Sequence, residues 1–252
     1  METATPDASP DRSDRHRRRR VYEDRWGATR RIVQLRPHLW REIGPETDGG
    51  RVLEIGPGLR PTSPVRGSYF VETSERATHA LSAAGGHAIR VGGWRLPFRD
   101  DAFRTVLALE ILEHLEEDER LLSEIVRVLQ PGGVAVISVP LHMERWTAID
   151  DSVGHVRRYE PEDLLAKIEA AGLRAERFHA RPSGSHPVIA RLGIALQSGL
   201  PRFTNWFLQR VIFRVASAWQ RSFGKLRWKA IAEPVPGRAG GMLVVARAPG
   251  GG

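Results

Sequence analysis

Residues 51–61 read RVLEIGPGLRP, and a second apolar run, YFVE at 69–72, ends in an acid eighteen positions after Glu54. The first stretch is a short run of apolar side chains, Val52, Leu53 and Ile55, opening into Gly56-Pro57-Gly58. That is the pattern of a buried strand feeding a tight turn. Glycine at 56 and 58 lets the backbone turn sharply and lets a ligand approach without meeting a Cβ. Glu72 closes the second run with a carboxylate, which can accept hydrogen bonds from both hydroxyls of a ribose. The two strand ends together describe a nucleoside-type cofactor lying across the carboxyl ends of parallel strands.

The turn discriminates among such cofactors. A dinucleotide site takes G-x-G-x-x-G, with a helix N-terminus facing a pyrophosphate. Here the turn is Gly56-Pro57-Gly58-Leu59-Arg60-Pro61, so the third glycine is missing and Pro61 stiffens the exit. Glu54 stands on the approach, where it would repel a pyrophosphate and welcome a cationic aminoacyl group. S-adenosylmethionine, with an ammonium, a sulfonium and no phosphate, meets those conditions.

Further along, Leu96-Pro97-Phe98-Arg99-Asp100-Asp101-Ala102-Phe103 precedes an apolar strand over 105–109 and then Glu110-Ile111-Leu112-Glu113-His114-Leu115. Leu121, Leu122, Ile125, Val126 and Leu129 recur at helical spacing over 118–129. Pro131-Gly132-Gly133 then reads as a helix stop and turn before a strand over 134–139. This order over about 52–141 resembles the class I S-adenosylmethionine-dependent methyltransferases, in the branch with "LPF…D..F", "EHL" and "R-x-L-x-P-G-G" signatures. The resemblance implies an α/β, Rossmann-like, seven-stranded and mostly parallel sheet with helices on both faces. It also implies a last strand, 242–246, running antiparallel between strands five and six. By the same resemblance Glu54, Gly56 and Gly58 surround the aminoacyl end of the cofactor, Glu72 takes the ribose, and Glu110 ends the fourth strand beside the cofactor. Leu96, which opens the LPF stretch, belongs with the cofactor-binding residues. One departure stands out: the family often carries an acid for the adenine amino group four positions before that leucine, and this chain has Gly92. Adenine recognition then falls to backbone groups, with Trp94 either stacking on the base or packing against its loop.

Composition sets the outer limits. A chain of 252 residues buries one core with some extra. Cysteine is absent, which removes disulfides, thiolate metal sites and a cysteine nucleophile, and fits a reducing cytoplasm. The histidines are scattered, so no metal site is expected from ligand spacing. The opening METATPDASPDRSDRHRRRR has no apolar core of a secretory signal and is expected to be a disordered basic tail, 1–20. The net charge is +8, and the excess lies at 202–247, where nine Lys or Arg face the single acid Glu233. Such a distribution argues against a nucleic-acid enzyme, which would spread its basic face over the cofactor cleft.

The expected organisation is a core over 21–187 with an N-terminal capping helix, a helical insert over 188–235 before the last strand, and that strand with a flexible end over 236–252. Within the insert, 203–225 sets Phe203, Phe207, Val211, Val215 and Trp219 four apart, against Arg210, Arg214, Arg221 and Lys225. A basic helix with aromatic residues opposite suits either a lid over the substrate cleft or peripheral contact with a membrane surface. No uncharged apolar stretch reaches the ~18–20 residues of a spanning helix.

Methyl transfer from a sulfonium is an in-line displacement, so the protein must align the acceptor and, for a hydroxyl, take up its proton. The expected acceptor is a small molecule or lipid-like, methylated at oxygen; the alternatives are RNA methylation, with the late basic segment on the backbone, and a non-catalytic cofactor-binding or membrane-docking subunit. His114 and His155 are the catalytic candidates, each also readable as a structural histidine. The 141–160 connection carries His142, Trp146, Asp150, Asp151 and Gly154-His155-Val156-Arg157-Arg158-Tyr159. His142, Trp146, Arg157, Arg158 and Tyr159 are the substrate-binding candidates, and Asp150 or Asp151 can orient His155. In the plainer reading the two arginines pair with Asp150, Asp151 or Glu162.

Overall fold

The structure is a computed structural model that describes residues 32, 37–182 and 226–250. Five strands run parallel: β1 (Val52–Ile55), β2 (Tyr69–Glu72), β3 (His87–Arg90), β4 (Phe103–Leu109) and β5 (Leu129–Pro140). Beyond β5 lie β8 (Ala239–Arg247), β6 (Arg174–Pro182) and β7 (Lys229–Ala230), and β8 is antiparallel to both of its neighbours. The order across the sheet is β3-β2-β1-β4-β5-β8-β6-β7. This is the α/β, mostly parallel architecture expected, with the last long strand inserted antiparallel between β5 and β6. The sheet has eight strands rather than seven, the addition being two-residue β7 at its edge. That pair of residues falls within 188–235, so the end of the stretch read as an insert joins the core sheet.

Parallel strands are covered on both faces, and their burial shows it. All four residues of β1 are buried, and Thr105 and Val106 to Ala108 of β4 are likewise inaccessible. Helix α3 (Asp118–Val128) follows α1 (Pro37–Ile43) and α2 (Glu75–Ala83) and turns Leu121, Leu122, Ile125 and Val128 onto the sheet. Those positions form one stripe of a 3.6-residue period. The hydroxyl of Ser74 caps α2 by accepting from the Ala77 N–H at 3.2 Å. After the short α4 (Ala148–Val153), helix α5 (Pro161–Ala170) opens on proline and is closed by Gly172 at φ +96°.

One expectation is corrected. Pro131-Gly132-Gly133 does not separate helix from strand, because β5 begins at Leu129 directly after α3. Phe103 pairs with Leu129 and Thr105 with Val134, so two steps along β4 answer five along β5. The surplus residues are taken up as an irregularity, where a proline without an N–H does no harm to the ladder. In the expected N-terminal capping region, Pro37 is the first residue of α1, while 21–31 and 33–36 lie outside the described residues. The tail 1–20 and the aromatic-basic segment 203–225 lie outside them too. Among the described residues no helix is long and apolar enough to cross a membrane.

The chain lays β2 and β3 to one side of β1, then returns to lay β4 on the other. In open α/β sheets the crevice at such a reversal, beyond the carboxyl ends of the strands, is where ligands bind. Here that reversal lies between the ends of β1 and β4.

Candidate active site

At the end of β1, Gly56 sits at φ +61° and donates its N–H to the Val71 carbonyl at 2.8 Å. Gly58 follows at φ +58° and donates to the Glu72 carboxylate at 2.7 Å. That carboxylate also accepts from the N–H groups of Thr73 at 2.8 Å and Ser74 at 3.0 Å. One buried acid thus ties the glycine turn to the end of the neighbouring strand. Glu54 does the same for the exit of the turn: it accepts from the Thr62 N–H and from both the N–H and the hydroxyl of Ser63, all at 2.8–3.0 Å. Its carboxylate is therefore turned to the loop it organises, and its effect on a ligand there is through its charge. Thr62 and Ser63 carried no signal in the sequence beyond being small and polar after Pro61.

At the end of β4, Glu110 adopts φ +60°, a conformation few non-glycine residues take. Its carboxylate accepts from the Ser138 hydroxyl and from the Arg181 guanidinium, each at 2.7 Å. Carboxylates thus lie at or within one residue of the ends of three adjacent parallel strands, β2, β1 and β4, that of Glu110 paired with Arg181. A cationic, phosphate-free donor fits that field and an anionic pyrophosphate does not.

The LPF stretch is fixed by α3. Leu96 is buried, its N–H donates to Glu124 at 2.8 Å, and its carbonyl accepts from Arg127 at 3.0 Å. Trp94 packs on the core and lies under the Arg120 guanidinium, 5.1 Å from its ring centre. Among the described residues, chain neighbours aside, no atom lies within 4 Å of where a Cβ on Gly92 would stand.

The 141–160 connection is organised by Asp150, which is 1% exposed. It accepts from the Thr147 N–H and hydroxyl, from Nδ1 of His155 at 2.8 Å, and from two nitrogens of Arg158 at 2.9 and 2.8 Å. Burial pushes its carboxyl up, but the Arg158 guanidinium, with Thr147 and His155, holds it down at about 2. It is therefore ionised and can only accept, so the His155 proton sits on Nδ1. Burial pushes the His155 imidazolium below its ordinary value, against the pull of Asp150. The His155 ring stands edge-on to His114, with ring centres 4.8 Å apart. Its Nε2 lies 3.8 Å from the Glu113 carboxylate.

The structure thus brings His114 and His155 together and adds Glu113, which the sequence showed only as part of the EHL stretch. The remaining acceptor-side candidates are engaged elsewhere. Arg158 is spent on Asp150, the pairing of the plainer reading. Tyr159 is buried and donates its hydroxyl to Asp118 at 2.7 Å, and burial together with that bond pushes its phenol far above the ordinary value. Arg157 pairs with the same Asp118 at 3.2 Å. In this geometry Arg157, Arg158 and Tyr159 hold the connection onto α3 and onto itself. His142, at φ +64°, pairs with Glu160 at 2.8 Å, and the Trp146 indole Nε1–H donates to the Asp151 carboxylate at 3.0 Å.

Residues 65–137 match the family model of a methyltransferase domain. The strand order is that of the Rossmann-like methyltransferase fold, and the matched methyltransferase domain lies within it. An uncharacterized methyltransferase of Mycobacterium sp. (strain JLS) is 39% identical over 108 residues, covering 40% of this chain and 43% of its own. The chain thus spans less than half the length of that relative. A solved S-adenosylmethionine-dependent methyltransferase from Thermotoga maritima superposes with a TM-score of 0.59 at 18% identity, covering 91% of this chain and 99% of its own. The phosphoethanolamine N-methyltransferase 2 of Haemonchus contortus, solved with S-adenosyl-L-methionine, gives 0.54 at 15% identity, covering 91% of this chain and 56% of its own. At such identities the likeness is one of fold.

Proposed function

We propose that this chain transfers the methyl group of S-adenosylmethionine to an oxygen of a small-molecule or lipid-like acceptor. The observation that carries the reading is the bond from the Gly58 N–H to Glu72, 2.7 Å long, which joins the ends of two parallel strands through a carboxylate 2% exposed. The cofactor's amino acid portion lies over Gly56 and Gly58, its ribose against Glu72, and Glu110 borders the reacting carbon. In the transfer the acceptor oxygen forms a bond to the methyl carbon as the carbon–sulfur bond breaks, leaving a neutral thioether. The hydroxyl proton leaves toward the imidazole side of the site, His114 and His155, with Asp150 setting the His155 tautomer.

Isothermal titration with S-adenosylhomocysteine tests this directly. The expected result is one saturable site per chain in the wild type. Glu72→Ala should weaken it by roughly 10–100-fold, the worth of a hydrogen bond to a charged group at about 1.5–3 kcal/mol. Gly58→Arg should abolish it, since a side chain would then occupy the turn at a positive φ. Absence of binding to the wild type, or equal binding by all three proteins, overturns the reading.

A further inference from the structure

Glu113 and His114 close the short 3-10 turn Leu112–His114 after β4, and His155 comes from the 141–160 connection. Two bonds hold these segments together: the Val156 N–H donates to the Glu113 carbonyl at 2.8 Å, and Nδ1 of His114 meets the Gly154 carbonyl at 3.2 Å. A carbonyl only accepts, so His114, like His155, carries its proton on Nδ1 when neutral. Both rings then keep Nε2 as a lone-pair donor. The His155 Nε2 faces the carboxylate of Glu113, which is 0% exposed, across 3.8 Å. Ligand atoms of all three residues fall within 4.8 Å of one another.

This arrangement repeats the outer shell of a protein metal centre, where a ligating histidine donates its other N–H to a carboxylate or a backbone carbonyl and is thereby fixed in tautomer and aim. Asp150 does this for His155 and Gly154 does it for His114. Two imidazoles and one carboxylate are a three-ligand set that leaves a coordination position open. Ligand atoms bound at ~2.0–2.2 Å to one tetrahedral ion lie about 3.3–3.6 Å apart, so the three side chains would close by about 1 Å.

We infer that Glu113, His114 and His155 bind a divalent transition cation of the zinc type, with one position left for an exogenous oxygen ligand. Cation binding does not depend on the methyl-transfer reading. If both hold, the cation polarises the acceptor oxygen, and the two imidazoles serve as ligands rather than as bases.

The test uses the full, untagged chain, stripped with a chelator and dialysed against Zn²⁺, with elemental analysis for stoichiometry and Co²⁺ substitution for a visible ligand-field spectrum. One ion per chain is expected, with Co²⁺ bands of a low-coordinate site. His155→Ala and Glu113→Gln should each weaken Zn²⁺ binding at least tenfold and remove those bands. His79→Ala, which changes an exposed histidine of α2, should leave both unchanged. Glu113→Gln keeps the side-chain shape and decides the matter if His155→Ala does not fold. The inference is overturned if the wild type holds no ion at ~1 mM Zn²⁺, or if the two site variants bind as the wild type does. Titration of the same protein with S-adenosylhomocysteine separates the two readings: cofactor binding by a chain that takes up no Zn²⁺ overturns only this one, and Zn²⁺ uptake without cofactor binding overturns only the other.

Discussion

Gly56 stands at φ +61°, and a Cβ built on it would come within 2.4 Å of Cδ1 of Ile111. The two facts make different demands. Cδ1 is the far end of a flexible side chain and can swing away, whereas the left-handed backbone costs an L-residue about 1–2 kcal/mol wherever its neighbours go. Gly56→Ala is therefore expected to lower stability by about 1–2 kcal/mol in urea unfolding, and shortening the neighbour in Gly56→Ala/Ile111→Val should recover little of it. Full recovery would mean that contact rather than backbone conformation fixes the glycine. This residue was legible in the sequence because only glycine meets both demands. Glu110 shares the conformation at φ +60°, but a glutamate after a strand announces no positive φ, and its partner Arg181 lies 71 positions away. Glu113 was legible as part of a motif and not as a neighbour of His155, because that proximity exists only once the connection folds back.

Between elements, the decisive contact is made by Arg127 on α3. Its guanidinium donates to the carbonyls of Leu96 and Phe98, to Asp100 and to Glu124, while Glu124 accepts from the Leu96 N–H. The LPF stretch and the R-x-L-x-P-G-G stretch, separate marks along the sequence, are thus two sides of one joint that seats the loop after β3 on α3. The bond with Arg127 holds the Glu124 carboxyl below its ordinary value of 4.5, against burial. A carboxyl with a depressed folded pKa gives stability that is whole above the unfolded value and lost as pH falls through the folded one. Urea unfolding from pH 7 to pH 3 should therefore show stability falling below about pH 5. Glu124→Gln should cost about 1–2 kcal/mol at pH 7 and flatten part of that fall. Glu176, held low by Arg247, contributes with the same sign, so some slope persists in the variant. An unchanged slope would remove Glu124 from the joint. Along the chain this joint is legible only as the order of two motifs; pairing across it needed the folded distance.

For the molecule as a whole, the long strands were readable because each is a buried apolar run bounded by turn residues, and a parallel sheet covered on both faces requires such runs. Two-residue β7 offers no period to read, and it exists only because Phe178 and Arg177 of β6 present an open edge to Lys229 and Ala230. The proposed cofactor crevice draws on β1, β2 and β4, which the order of the sheet makes neighbours. Ligand binding at that junction must therefore stabilise the cooperative core and not a peripheral element. At 100 times its dissociation constant, S-adenosylhomocysteine should add about 2.7 kcal/mol, which for a chain of this size raises Tm by roughly 5–10 °C. The shift should grow with the logarithm of ligand concentration, as mass action requires. Glu72→Ala, assayed at the same ligand concentration and weakened roughly 10–100-fold, should lose from about half to most of the increment. A cofactor shift that persists undiminished in Glu72→Ala would place the ligand somewhere other than the strand ends.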